Sequence, residues 1–403
     1  MDRITRRQAL KGLLLTGGAI SGLGQPVFWR GAWAEPFGAK APSSTWSKGV
    51  GEQGQLLGTV PFADEAHPVM ERVLGRELDG RLFTDLSALS PENAVIPVEK
   101  FYIRTCASHL LPEASTWQLR LRGLRQPAAG VDLNEAELRK MERDCGRHLL
   151  ECAGNGAFAH FGMMSVAGWA GVPLVSLLEK NGMARPRQRI LVSGFDTYGG
   201  KSLTSIPGAS WIFSQDDLAA TRAFLATSMN GAPLTRDHGL PIRLVVPGWY
   251  GCCCIKWVNE IAVVSDDAAA TSQMQEYAGR THQGGVPALA REYAPAVIDP
   301  AAMPIRVEKW LADRKIEYRV IGIEWGTKVP MDGLEIQFSP QGPFVTIDDG
   351  PHEREDGWSF WSYTWKPAKP GRYTIQLRLR DRTVRTRRLD MGFYARSVLI
   401  DEV

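Results

Sequence analysis

The stretch HLLECAGNGAF occupies residues 148–158 and places a single cysteine, Cys152, at the edge of a Gly-rich turn. Two leucines lead into Glu151 and Cys152, and Ala, Gly and Asn follow before Gly156. A cysteine that only fills core space behaves as a small apolar side chain and does not need such a turn. A thiolate that must reach a bound group does, because the turn gives its sulfur access. The stretch therefore indicates a ligand-binding thiol at Cys152.

A second segment carries charges that suit an anionic ligand. His238 and Arg243 occur in HGLPIR, and the Gly residues at 248 and 251 and Lys256 follow shortly after. Arginine offers a forked grip on phosphate, lysine offers a point charge, and glycine lets backbone N–H groups come close. Each of these residues also has an ordinary interpretation, such as a solvated arginine or a lysine whose stem packs on a ring.

The composition is that of an ordinary globular protein. The chain has 403 residues, of which 44% are hydrophobic and 23% charged, enough for two domains with sizeable cores. Its formal net charge of +3 is small for this length. The sequence has no basic stripe with interleaved aromatic residues, so it gives no support for nucleic-acid binding.

The N-terminus has the order of signals found in exported proteins. Residues 5–11 read TRRQALK, a twin-arginine pattern, and the apolar run at 12–23 is too short for a comfortable membrane span. Ala32, Trp33 and Ala34 then form a small-x-small cleavage site. We expect a signal peptide for the twin-arginine route, which exports folded proteins, and hence a bacterial periplasmic location. The alternative is retention of the segment as an N-terminal anchor.

Composition divides the chain into five segments. We predict a signal peptide at 1–34, a loop-rich extension at 35–95, a first folded domain at 96–270, a linker at 271–302 and a second folded domain at 303–403. The apolar patterns predict helices and strands in the first domain: helices at 132–141 and 173–180, and strands at 117–122, 189–194, 242–246 and 257–264. The second domain has short alternating segments parted by turn residues, the spacing of an all-β sandwich.

Six cysteines, at 106, 145, 152, 252, 253 and 254, leave several interpretations open. A bridge between Cys145 and Cys152 is possible in an oxidising compartment. The three consecutive cysteines are a turn of small residues, a redox-active thiol set or an extra metal site, and adjacent residues rarely all converge on one ion. The sequence contains no Cys-x-x-Cys-His haem site, no His-Glu-x-x-His helix and no paired Cys-x-x-Cys units.

Five motifs in one order over residues 101–265 resemble the sulfite oxidase family of molybdenum enzymes. They are Glu-Cys-Ala-Gly-Asn at 151–155, Trp-Ala-Gly-Val-Pro-Leu at 169–174, Ser-Ile-Pro at 205–207, His-Gly-x-Pro-x-Arg at 238–243, and Gly-x-x-Gly followed by Lys-Trp at 248–257. The resemblance implies an α+β fold: a sulfite-oxidase-type molybdopterin domain at 96–270, followed by an immunoglobulin-like β-sandwich dimerisation domain at 303–403.

The same resemblance assigns roles to individual residues. It implies that Cys152 ligates molybdenum through its thiolate, and a soft sulfur ligand suits that metal. His238, Arg243 and Lys256 match positions that hold the pterin phosphate, and Arg104 matches an arginine near the metal and its oxyanion substrate. We add Cys106 and Gly251 to the predicted cofactor-binding set.

Three departures from the family pattern concern the substrate. Gly156 and Ala157 follow the ligand stretch where typical sulfite oxidases have an arginine, Ser202 replaces a tyrosine, and Thr105 and Cys106 replace Asn-His after Arg104. One anion-binding cation therefore remains where two are expected. The missing arginine and tyrosine are also typical of the related sulfane dehydrogenase subunits of thiosulfate-oxidising systems.

The resemblance implies a periplasmic oxidoreductase with one molybdopterin, and one molybdenum, per chain and no haem. We expect it to oxidise sulfite or sulfane sulfur by oxo transfer, to pass electrons to an external carrier such as a c-type cytochrome, and to form a homodimer. One alternative is a reductase of a sulfoxide or another oxide with the same centre. The other is a non-catalytic binding scaffold that retains the fold.

Overall fold

The computed structural model describes residues 54–65, 79–106, 116–123, 130–183, 187–195, 208–326, 333–340, 342–347 and 357–403, with the backbone alone at 79–80 and 105–106. The predicted signal peptide, the Ser-Ile-Pro motif, Ser202 and the side chain of Cys106 therefore lie outside the described residues. The described residues all belong to one compact unit. The boundaries at 96–270 and 303–403 remain predictions from sequence.

Strands contain many more of the described residues than helices do. In chain order these are β1 Gly54–Val60, β2 Asp79–Leu82, β3 Ile103–Cys106, β4 Leu119–Arg122, β5 Val131–Leu133, β6 Arg143–Glu151, β7 Met164–Pro173, β8 Gln188–Gly194, β9 Ser210–Ser214, β10 Phe224–Met229, β11 Ala232–Pro233, β12 Arg243–Val245, β13 Val258–Ser265, β14 Ala301–Ala312, β15 Lys315–Trp325, β16 Leu334–Ser339, β17 Val345–Thr346, β18 Trp358–Trp365, β19 Gly371–Leu379 and β20 Arg396–Ile400.

The helices within the described part of the chain are short. They are α1 Glu135–Arg139, α2 Leu174–Lys180, α3 Gln215–Ala220, α4 Ser272–Tyr277 and α5 Arg387–Asp390. The sequence predicts α1 with longer bounds and α2 with similar bounds, and both helices form. Among the described residues no helix combines the length and apolar character that a membrane crossing requires.

Two five-stranded sheets build the half of the molecule that carries the sequence motifs. The first has the order β11-β10-β7-β6, with β12 also paired to β10, and the second has the order β5-β4-β13-β8-β9. All these pairs are antiparallel except β4 with β13. Every residue of β10 is buried, which explains its continuous apolar and small sequence, since a strand covered on both faces does not alternate.

Two four-stranded antiparallel sheets form the C-terminal half, with orders β1-β14-β15-β18 and β17-β16-β19-β20. Alternation decides which face of β16 is buried: Leu334, Ile336 and Phe338 are buried while the residues between them are partly exposed. The ring of Phe338 stacks on Trp365 of β18, with centroids 4.1 Å apart. The two sheets therefore share one apolar interior, as a sandwich does.

Strand β1 differs from the loops predicted for residues 35–95. It pairs along β14, from Gly54 opposite Ala312 to Val60 opposite Val307, and so belongs to the C-terminal half. Most of its side chains are exposed. An edge strand held by main-chain hydrogen bonds needs no apolar alternation, so the sequence carries no signal for it.

Helix α4 lies in the segment predicted to be a linker, residues 271–302. Thr271 caps it by accepting a hydrogen bond from the backbone N–H of Met274 at 3.1 Å. Gln273 and Tyr277 are both buried in the fold. The segment is rich in small and polar residues, and tertiary contacts rather than a strong apolar period stabilise this short helix.

Candidate active site

The turn after β6 holds Cys152 through a network of short-range hydrogen bonds. The backbone N–H of Cys152 donates to O of Met163, and Asn155 N–H donates to O of Cys152, both at 2.9 Å. The side chain of Asn155 accepts from Met163 N–H at 3.1 Å through Oδ1 and donates to Oε1 of Glu151 at 3.5 Å through Nδ2. The Asn of the Glu-Cys-Ala-Gly-Asn motif therefore fixes the turn that presents the thiol.

The thiol of Cys152 is unbridged and buried, with 9% of the residue exposed. Burial raises its pKa, while the backbone N–H of Gly154 and the charge of Arg104 act in the opposite direction. A buried thiol of this kind stays protonated without a nearby metal, and coordination removes its proton outright. The sulfur is therefore better suited to act as a metal ligand than as a free nucleophile.

The predicted site residues converge on one cleft. It has an empty volume of about 790 Å³, part of which opens to solvent. Six of the residues predicted from sequence line it: Arg104, Cys152, His238, Arg243, Gly251 and Lys256. They come from β3, the turn after β6, β12 and the loops around it, so segments far apart in sequence meet at one place. The seventh, Cys106, lies on β3, and its side chain is outside the described residues.

Lys256 connects two walls of the cleft. Its Nζ donates to O of Arg104 at 3.2 Å and to O of Asp237 at 3.0 Å, and it lies 4.5 Å from the ring centroid of Trp257. These contacts engage carbonyl oxygens and a ring face. They hold the ammonium group at the cleft wall.

His238 is neutral and engaged through both ring nitrogens. Nε2 lies 3.2 Å from O of Phe101 and must donate to it, so Nδ1 accepts from the hydroxyl of Thr235 at 2.7 Å. Burial, aided by the charges of Arg243 and Lys256, lowers the pKa of His238 to about 4, although the hydrogen bond to O of Phe101 opposes this shift. His238 thus holds the backbone that leads into β3 and Arg104.

Arg243 is a buried guanidinium that lacks an acidic partner within the described residues. Only 6% of the residue is exposed. Nη1 donates to O of His238 and Nη2 to O of Cys254, both at 3.3 Å, and Nε is buried with no hydrogen-bond partner in the described structure. Burial lowers its pKa. A buried charge without a counterion is costly, so this geometry fits an anionic group bound in the cleft.

The three consecutive cysteines form a tight bend at the cleft floor. Gly251–Cys253 is a turn of 3-10 helix, Cys252 and Cys254 line the cleft, and all three are unbridged. A Cβ at position 251 would lie 2.8 Å from Oη of Tyr102, so glycine is needed there for close packing.

The structure bears on two of the interpretations left open for these three thiols. Burial raises the pKa of Cys254 to about 11 and that of Cys253 well above its ordinary value. No cluster of three or more His, Cys, Asp or Glu residues suited to a metal ion occurs in the described part of the chain. These observations favour a small-residue turn over an extra metal site. Cys145 is likewise free, so the described structure has no bridge between Cys145 and Cys152.

Sequence reasoning missed part of the cleft wall. Tyr102, Gln273 and Tyr277 also line it, and Gln273 donates to O of Cys252 at 2.6 Å while accepting from Ser210 N–H at 3.0 Å. Two of the three lie on α4, whose polar sequence gave no indication of a buried site. Only the tertiary fold brings this helix to the cleft.

The region that builds the cleft is similar to regions of known proteins. Residues 108–272 match the family model described as oxidoreductase molybdopterin binding domain. Over 243 residues the chain is 28% identical to mitochondrial sulfite oxidase of Mus musculus, covering 54% of this chain and 42% of that protein. The matched region is therefore a molybdopterin-binding domain similar to that of sulfite oxidases. The sequence resemblance is thereby confirmed.

Further sulfite oxidases match at similar levels. Sulfite oxidase of Arabidopsis thaliana is 27% identical over 206 residues, covering 45% of this chain and 51% of that protein. The crystal structure of the sulfane dehydrogenase SoxCD from Paracoccus pantotrophus has a TM-score of 0.58 at 18% identity and covers 90% of both chains, a similarity of fold. The matched region spans less than half of the length of the mouse protein.

Proposed function

We propose that this chain is a molybdenum-dependent oxidoreductase that oxidises a small sulfur compound, sulfite or sulfane sulfur. The observation that carries the proposal is the convergence of the unbridged thiol of Cys152 with the cations Arg104, Arg243 and Lys256 on a single cleft. A scaffold that had lost its chemistry would not need a buried cation without an acidic partner beside a free thiol.

The residues of the cleft fit molybdopterin in the chemistry of their donors. Cys152 would ligate the metal, because thiolate sulfur is a soft ligand, and Arg243 and Lys256 would hold the pterin phosphate. When bound, the cofactor supplies a metal centre able to exchange an oxygen atom and two electrons with a substrate. The partnerless Nε of Arg243 is the observation that most directly supports an anionic group there.

The protein's own residues then bind and orient. Arg104 lines the same cleft as Cys152 and lowers the pKa of its thiol through its charge, so it is close enough to attract an anionic substrate to the metal. His238 fixes the backbone at Phe101 before Arg104. The turn anchored by Asn155 keeps the sulfur directed at the cleft. Catalysis in this proposal depends on positioning and electrostatic attraction.

The proposal includes location and partners. The twin-arginine pattern at residues 5–11 supports export to the periplasm. The absence of a Cys-x-x-Cys-His motif from the sequence favours transfer of electrons to a separate c-type cytochrome over an internal haem. The two packed antiparallel sheets of the C-terminal half support an immunoglobulin-like sandwich, which would serve a homodimer.

Metal analysis and one conservative variant test the function. Matured wild-type protein is expected to contain about one molybdenum per chain and to reduce a cytochrome or dye with sulfite, thiosulfate or a thiol. Cys152→Ser should keep the fold and lose the molybdenum-dependent activity. Cys145→Ser is the matched control, since Cys145 is a free cysteine that does not line the cleft. Unchanged turnover in Cys152→Ser would contradict the proposal, and activity only with a reduced dye and a sulfoxide would favour the reductase.

A further inference from the structure

Arg280 lies beside the Cys152 turn, although the sequence gives it no role. An ideal Cβ at Gly154 would lie 3.6 Å from Nη1 of Arg280 and 3.8 Å from Sγ of Cys152. The guanidinium and the thiol therefore both reach contact distance of the same point. That point carries no side chain, because residue 154 is glycine, and an atom placed there would be in van der Waals contact with both groups.

A ring of the cleft wall holds the guanidinium at this place. The Cζ of Arg280 lies 5.3 Å from the ring centroid of Tyr277, and Tyr277 lines the cleft. This stacking orients the planar group without consuming its N–H donors. Arg280 is exposed, and it follows Gly279 in a single turn of 3-10 helix directly after α4.

The charge of Arg280 is available to a ligand. Within the described residues it forms no ion pair and donates no hydrogen bond to an acidic side chain, whereas Arg291, farther along the same segment, pairs with Asp266 at 3.5 Å. The guanidinium of an arginine that has no carboxylate partner and stacks on a tyrosine of the cleft wall can donate N–H groups to an oxyanion.

This position offers the cation that the chain is missing elsewhere. The residues after the ligand stretch are Gly156 and Ala157, which cannot contribute a charge. Arg280 reaches the same turn from a different segment, together with the phenol ring of Tyr277. A second cation in addition to Arg104 would compensate for that loss, since two donors bind an anion more tightly than one.

We infer that Arg280 is a second anion-binding side chain at the mouth of this cleft and that, given the proposed function, it selects small anionic sulfur compounds as substrates. It acts on binding, before any chemical step. Its removal therefore weakens substrate affinity and leaves the turnover of bound substrate largely unchanged.

The test uses the full-length, cofactor-loaded protein and sulfate as a probe that cannot be oxidised further. Calorimetry is expected to give a sulfate Kd about tenfold weaker for Arg280→Ala and for Arg280→Met than for wild type, the size of one partly exposed charge-assisted hydrogen bond. Arg280→Met retains an apolar stem against Tyr277, so its loss of affinity separates charge from packing. Arg280→Lys should recover part of the affinity.

Arg291→Ala is the matched control, because Arg291 lies on the same segment and is also exposed, but its guanidinium pairs with Asp266. It should bind sulfate as wild type does. With an oxidisable substrate, Arg280→Ala should raise KM about tenfold and change kcat less than about twofold. Rising ionic strength should raise the KM of wild type by a larger factor than the KM of this variant.

The outcomes separate this inference from the proposed function. A sulfate Kd in Arg280→Ala and Arg280→Met within about twofold of wild type, or no measurable sulfate binding by wild type, overturns the inference even if the enzyme oxidises sulfur compounds. Loss of sulfate binding in both variants, in a loaded protein that oxidises none of the sulfur compounds, supports the anion site and overturns the proposed function instead.

Discussion

The indole Nε1 of Trp325 donates a hydrogen bond of 2.8 Å to Oε2 of Glu151, across 174 residues of sequence. Glu151 is fully buried and directly precedes Cys152. Arg388 approaches from the same C-terminal half: its Nη1 lies 3.6 Å from Oε1 of Glu151, and its Nη2 donates to O of Ala153 at 2.8 Å. The C-terminal half therefore supports the ligand turn from behind.

Replacing Trp325 with Phe removes a hydrogen bond to a buried carboxylate. We expect Trp325→Phe to lower the free energy of unfolding by about 1.5–3 kcal/mol, because a bond to a charged group is stronger than one between neutral groups. Trp358→Phe is the control: its Nε1 donates to a neutral backbone acceptor, O of Ala94, at 3.0 Å, and the expected loss is about 1 kcal/mol. Urea denaturation measures both, and an equal or smaller loss in Trp325→Phe would contradict the ranking.

Arg388→Met tests the charge that stabilises Glu151. Burial raises the pKa of Glu151, and Arg388, Trp325 and Asn155 oppose that rise. Without Arg388 the pKa of Glu151 rises further, so folded protein holds a proton that the unfolded chain releases. Between the unfolded and the folded pKa, stability then falls as pH rises.

The expected result is a deficit in the free energy of unfolding of about 3–5 kcal/mol at neutral pH, because one partner of a buried pair is left uncompensated. The deficit should shrink as the pH falls towards the ordinary pKa of a glutamic acid, where Glu151 is protonated in the folded variant. The neighbouring Arg387→Met is the control, since Arg387 is exposed. A deficit that does not depend on pH would count against the charge argument.

Arg243→Gln is predicted to separate cofactor retention from stability. Its guanidinium is buried with an unpartnered Nε, so an anionic group should bind about tenfold less tightly without it. Cofactor-free protein should be as stable as wild type or more so, because the change removes an uncompensated buried cation. Molybdenum analysis measures cofactor retention, and urea denaturation measures stability. Arg236→Gln is the control, because Arg236 is exposed. Normal molybdenum content in Arg243→Gln would rule out a phosphate-binding role.

The local motifs made the cofactor side of the cleft predictable. Cys152 sits in a turn whose small residues are visible in the sequence, and Arg243 and Lys256 flank glycines that the same sequence shows. The strand at 189–194 was predictable because its centre, residues 190–192, is a buried apolar run. Each of these features depends on neighbours a few residues away.

The contacts that cross the molecule were not predictable in the same way. Trp325 in the second predicted domain resembles any aromatic residue of a sandwich core, and nothing in its neighbourhood indicates that its N–H reaches Glu151. Helix α4 and Arg280 lie in a segment whose composition is that of a linker. Tertiary packing, which one sequence does not encode locally, decides their roles.

The pairing of β1 with β14 sets an order on how the molecule can assemble. Gly54 meets Ala312 along that edge, so most of the polypeptide must leave the ribosome before the partner of β1 exists. Contacts this remote in sequence close slowly and late. The outer edge of the C-terminal half is therefore completed late, and a chain translocated while it emerged would reach its destination before β1 had a sheet to join.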